Sequence, residues 1–180
     1  MPTQLRDNRR YIRRLCSNAL LVAAALLLSY IETLIPISLV IPLPGIRLGL
    51  ANIAVMLAFF AISPADAAGI SFVRISLSAL LFGSTVSFFF SFCGAVLSYL
   101  GIILFGILLK KQKLTFIGLS SGCAVLHVVG QIIAAMIIYT PAALSYLPAL
   151  IFTATFTGAL CGFILNLVFN KVKVIINVSV

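Results

Sequence analysis

The sequence predicts an all-α integral membrane protein, a bundle of six transmembrane helices. Three observations carry that reading. Apolar residues make up 63% of the 180 positions and charged residues 8%, against roughly half and a quarter in soluble domains. Most of the apolar runs approach the ~20 residues that a helix needs to cross a bilayer. Ten of the twelve Lys and Arg fall in three clusters: Arg6 to Arg14, Lys110 to Lys113, and Lys171 with Lys173. With six spans and an inner N-terminus, all three face the cytoplasm, as the bias of basic residues toward inner loops requires. The chain is therefore expected in the cell membrane, multi-pass, with both termini cytoplasmic.

The organisation follows from that count. Residues 1–14 form a basic cytoplasmic segment, 15–170 the transmembrane domain, and 171–180 a short cytoplasmic tail. Span one runs from Leu15 to Ile35, longer than the 7 to 15 residues of a cleavable signal core. A loop from Pro36 to Arg47 follows, apolar for a loop and expected to fold over the outer face. Span two, about Leu48 to Ile62, is short for a ~30 Å hydrocarbon core, so part of the preceding loop is expected to dip in. Ser63-Pro64-Ala65-Asp66 supplies an N-cap, a proline at the first helical position and an acid in the first turn. Span three starts there and reaches Phe82. Gly83-Ser84 breaks the chain before span four, which ends near Leu109. Span five covers Phe116 to Tyr139. Thr140, Pro141 and Pro148 bracket an outer turn, and span six continues to Phe169.

The residues that lipid should exclude are the ones that point to function. A charge near the bilayer centre costs at least ~2.5 to 3.5 kcal/mol, so it normally faces a protein interior or a cavity. Arg74 lies ten residues beyond Pro64, ~15 Å into span three. Glu32 sits near the outer end of span one, Arg47 at the mouth of span two, and Asn52 one to two turns deeper. His127 and Gln131, four residues apart in span five, share one helix face. Together Glu32, Arg47, Asn52, Arg74, His127 and Gln131 are expected to line a solute site open to the outside. The competing reading is structural: Glu32 neutralises Arg74 or Arg47 in a buried pair, while His127 and Gln131 only tie helices together. Such a site suits a ligand with an anionic or imide-like head, with Tyr30, Phe72, Phe82, Phe88, Phe89 and Phe90 available to stack on a flat ring.

Small residues spaced four apart let helices approach closely. Ala19 with Ala23, Ala65 with Gly69, and Gly158 with Gly162 have this spacing. Packing within the bundle is one reading; docking of a partner's helices on Ala19, Ala23, Ala65 and Gly69 is the other. The four cysteines lie in apolar segments without ligand spacing and read as small core residues. The basic residues form no stripe interleaved with aromatics, which speaks against nucleic acid. No phosphate-binding loop is present, so the chain does not drive transport with ATP by itself. Three acids in the whole chain leave no aspartate cluster to hold magnesium against a diphosphate. No catalytic residues, metal ligands or covalently bound cofactor are expected, and the chain is not read as an enzyme.

Ser29-Tyr30-Ile31-Glu32, the stretch Pro44-Gly45-Ile46-Arg47-Leu48-Gly49-Leu50-Ala51-Asn52, Arg74, Leu81-Phe82-Gly83 and Gly122-Cys123-Ala124-Val125-Leu126-His127-Val128-Val129-Gly130-Gln131 resemble the Gx transporter family. That family is also labelled heptaprenyl diphosphate synthase component I. The resemblance covers about residues 15 to 168. The family is in turn similar to the substrate-binding S components of energy-coupling factor transporters. It implies six spans, both termini inside, an outer loop lidding the ligand, and a coupling subunit with ATPases as partner. It also implies vitamin or cofactor uptake, with a flavin such as riboflavin or its phosphate as the transported ligand. Two rivals stand beside this expectation. One is a membrane accessory subunit of a separate prenyl synthase. The other is a self-sufficient proton-coupled transporter in which His127 titrates.

Overall fold

The structure, a computed structural model, describes residues 2–34 and 46–176. Six α-helices and one 3-10 turn account for most of them. They are α1 (Pro2–Leu34), α2 (Asn52–Ala61), α3 (Pro64–Phe82), α4 (Thr85–Lys110), α5 (Phe116–Ile138), the 3-10 turn Pro141–Tyr146, and α6 (Leu147–Ile176). Five of the helices are long and apolar enough to cross a membrane; α2, with 10 residues, is not. Among the described residues the chain is thus a helical membrane bundle of six helices with five full-length candidate spans. The expected span from Leu48 to Ile62 is helical only from Asn52, and residues 46–51 approach it as irregular chain. Ile46 and Arg47 are buried, so the chain ahead of α2 does enter the bundle. The expectation that the outer loop covers the outer face rests on residues 35–45 and lies outside the described residues.

Other boundaries differ in instructive ways. The basic segment before Leu15 continues α1 without a break, because neither proline nor glycine interrupts it after Pro2. At the other end α6 runs on past Lys171 to Ile176. The cap expected at Ser63 forms, and two more appear. Ser63 Oγ accepts from the Asp66 backbone N–H, with Pro64 in the first turn, and Ser84 and Thr115 cap α4 and α5 in the same way.

The helices alternate in direction, and their contacts fix which ends lie together. Arg14 of α1 donates through Nε to Asp66 at the start of α3 (2.7 Å), and Asn18 donates to the same carboxylate (2.9 Å). Phe60 at the end of α2, Phe116 at the start of α5 and Phe169 near the end of α6 form one aromatic cluster, with ring centroids 5.1 to 6.4 Å apart. Half of the Arg14 side chain is exposed, so Arg14→Ala is expected to cost less than about 1 kcal/mol. Asp66→Ala is expected to lower the melting temperature further, because that carboxylate also meets Ser63 and Asn18. Thermal melting of the two variants in one detergent checks the order.

α5 is the central element, packed between α4 and α6. α1, α2 and α3 form a second group, joined to the first where α2 meets α6 and α3 meets α4. Glycines set the tightest spacings. A Cβ on Gly130 would lie 2.5 Å from the Cys93 carbonyl oxygen, and one on Gly162 would lie 2.5 Å from Ile117 Cα. Gly158 and Gly162 therefore pack α6 on α5 inside the bundle. Gly69, by contrast, has open space where a side chain would go. Outward-facing Leu80, Ile137 and Phe152 are each more than three-quarters exposed, a surface suited to lipid and not to water. Cys123 and Cys161 are buried, Cys93 is half-buried, and Cys16 is exposed. Cys16 is thus no core residue, since it sits on the outward face of the basic end of α1.

Candidate functional site

The six polar residues singled out from the sequence are all buried, and the irregular chain ahead of α2 explains much of why. Gly49 adopts φ +84°, a conformation open to glycine and costly for other residues. The turn it makes lets its carbonyl accept from the Asn52 N–H at 3.0 Å and start α2. Non-helical backbone at membrane depth persists only where protein satisfies its polar groups. Gln131 does this for Arg47: its Oε1 accepts from the Arg47 backbone N–H (3.2 Å), and its Nε2 donates to the Arg47 carbonyl (3.1 Å). Glu32 does it for Leu50, whose N–H donates to Oε1. One amide from α5 and one carboxylate from α1 thus hold the strap of residues 46–51 in place.

The same amide decides the state of the histidine. Because Arg47 fixes which end of Gln131 accepts, Nε2 is the donor in its 2.9 Å contact with His127 Nε2. The imidazole nitrogen must then be the acceptor, so the neutral ring carries its proton on Nδ1. That nitrogen lies against the Gly94 backbone, and Gly49 covers the opposite side of the ring. A proton added to Nε2 would set donor against donor. The geometry therefore disfavours His127 as a proton carrier.

Serines not counted among the site residues from the sequence receive three more polar groups. Arg47 Nη1 donates to Ser78, Asn52 Nδ2 to Ser98 (3.2 Å), and Arg74 Nη1 to Ser29 (3.3 Å). Their spacing was the available signal. Ser71, Arg74 and Ser78 share one face of α3, and Ser87, Ser91, Gly94 and Ser98 one face of α4, at helical intervals.

The charges are gathered but not paired. Glu32 lies within electrostatic reach of both Arg74 and Arg47, and both arginines act on His127. Yet among the described residues the ion pair closer than 4.0 Å is Arg14–Asp66 at the end of the bundle. The direct structural pair between Glu32 and an arginine is thus not formed. Glu32 Oε2, Arg74 Nε and Nη2, and His127 Nδ1 find no hydrogen-bond partner among the described residues. Beneath the strap, a cavity of about 10 Å³ is lined by Gly49, Asn52, Met56, Ser120 and Cys161, among others. It has room for about one water.

The aromatic residues do not assemble around this core. Phe72 and Phe89 face outward, Phe90 packs on Tyr139, and Tyr30 meets Phe82 edge-on. Ala19, Ala23, Ala65 and Gly69 are all exposed, on α1 and α3.

The family model described as heptaprenyl diphosphate synthase component I matches residues 21–168. The chain belongs to the heptaprenyl diphosphate synthase component I family. Every member of the buried polar cluster falls inside the matched stretch, as do the strap and both glycines that enclose His127. No curated protein and no solved structure matches the chain. In this component I chain the matched residues join α1, α3, α5 and the strap around one polar centre.

Proposed function

We propose that the protein is a non-catalytic membrane subunit that binds a small polar molecule between α1, α3, α5 and the strap, as the solute-binding part of an uptake system. The observation that carries this reading is the set of buried, gathered but unpaired charges. A bundle needing only internal glue closes such groups into a pair, since an uncompensated buried charge is strongly destabilising. The polar head of the ligand is supported by these groups. The outward-facing Phe72 and Phe89 give no corresponding support to a flat ring, so a flavin is one ligand to test among several. A coupling subunit would supply the energy, and exposed Ala19, Ala23, Ala65 and Gly69 are the surfaces offered to it. With both termini on the cytoplasmic side of the cell membrane, the strap faces outward; a C-terminal reporter active only in cytoplasm checks this orientation.

The test is to purify the full chain from its native membrane, denature it and identify released small molecules by mass spectrometry. About one solute per chain is expected. Release of lipid alone would sink the proposal.

A second reading is supported by the family description itself, which bears on it more directly than on transport: an accessory membrane subunit of a polyprenyl diphosphate synthase. Its catalytic partner would be a separate soluble protein, given the absence of aspartate-rich motifs in this chain. A stable complex with a prenyl synthase, and altered product length without this chain, would favour it over solute uptake.

A further inference from the structure

Resting on the binding reading above, we infer that the ligand is an oxyanion, a carboxylate or phosphate, seated on the free edge of the Arg74 guanidinium. The first ground is charge. The chain has three acids. Asp66 is engaged with Arg14 at the end of the bundle, and Asp7 lies 25 residues before Glu32 on the same helix, roughly 37 Å away. Residues 35–45 contain no ionisable side chain. Glu32 is left to face both Arg47 and Arg74. With His127 held neutral by Gln131, the centre carries one uncompensated positive charge, and arginine does not shed its proton in proteins.

The second ground is geometry. Arg47 has its backbone held by Gln131 and its Nη1 on Ser78, and none of its side-chain nitrogens is among the fully buried atoms left without a partner. Glu32 spends Oε1 on the strap. Arg74, only 2% exposed, meets Ser29 through Nη1 and leaves Nε and Nη2 without partners among the described residues. Those two nitrogens form one edge of the guanidinium, and their parallel N–H bonds match the two oxygens of a carboxylate or phosphate. The orphaned donors and the surplus charge thus sit on the same side chain.

The oxyanion has two possible sources, a soluble metabolite or the head of a prenyl lipid. The full chain in nanodiscs of phosphatidylcholine, which has no net charge, separates them by thermal melting with matched probes. These are riboflavin 5′-phosphate against riboflavin, pantothenate against pantothenol, and farnesyl diphosphate against farnesol. At saturation the anionic member of at least one pair is expected to raise the melting temperature by about 5 °C or more, and its uncharged counterpart by far less. Arg74→Gln should abolish the shift. Arg74→Lys, which keeps the charge without the fork, should keep part of it and serves if the glutamine variant does not fold. A shift with both soluble anions and none with farnesyl diphosphate assigns the site to solutes, and the reverse assigns it to lipid. Equal stabilisation by an uncharged member overturns the oxyanion and leaves the binding reading standing. An anion shift undiminished in both Arg74 variants, or no anion shift in any pair, overturns the inference; the release experiment above judges the binding reading separately.

Discussion

Gln131→Leu should remove more stability than any other single change in the polar core, at least about 3 kcal/mol. Leucine fills a similar volume, so the loss isolates the amide. It would strand the Arg47 N–H, the Arg47 carbonyl and His127 Nε2, all now served by Gln131. Each buried group left without a partner costs about 1–3 kcal/mol, and the leucine side chain and surrounding hydrocarbon offer nothing to replace it. A whole protein is typically stable by only about 5–15 kcal/mol. The fraction remaining monodisperse after heating, read by size-exclusion chromatography, should fall well below that of the wild type. Gln131→Glu should lie between the two, since it keeps the acceptor for the Arg47 N–H and loses the donor. A leucine variant melting with the wild type would mean that the amide does not hold the strap.

The second large effect is expected from Gly130→Ala. The added methyl would lie 2.5 Å from the Cys93 carbonyl oxygen and 2.8 Å from Gly94 Cα. Both are backbone atoms, which cannot rotate away as a side-chain tip can, so α4 and α5 must separate. Overpacking of this kind typically costs about 1–3 kcal/mol. Here it also withdraws Gly94 from the His127 ring. Gly69→Ala is the control: with nothing within 4 Å, it should be neutral or stabilise its helix by up to about 1 kcal/mol. Parallel melting curves of the two variants decide the matter, and equal losses would contradict the packing described here.

Much of this arrangement was legible in the sequence, for identifiable reasons. The cap at Ser63 follows a local rule that lipid does not alter, and basic residues bounded several segments. The short span two was visible as a shortage of residues. That Glu32, Arg47, Asn52, Arg74, His127 and Gln131 would be buried followed from the cost of leaving them in hydrocarbon. Their division of labour did not, because it depends on backbone geometry. Gln131 and Glu32 serve backbone groups of Arg47 and Leu50, 84 and 18 residues away, and composition holds no record of such pairings. The serines were overlooked because each is unremarkable alone; only their register with Arg74 and Gly94 gives them meaning. The roles of Ala19-x-x-x-Ala23 and Gly158-x-x-x-Gly162 could not be told apart by spacing. Only the neighbours of each helix separate an inward face from an outward one.

The half length of α2 has an electrostatic consequence. A helix that starts inside the bundle brings its amino end there, and that end acts as roughly half a positive charge. No side chain caps it locally; the nearest anion is Glu32, which reaches from α1 to the Leu50 N–H one residue before the cap position. A single carboxylate therefore offsets two guanidiniums and the positive pole of a helix. Even the isosteric Glu32→Gln would leave the interior of the bundle as a positive well with no counterweight.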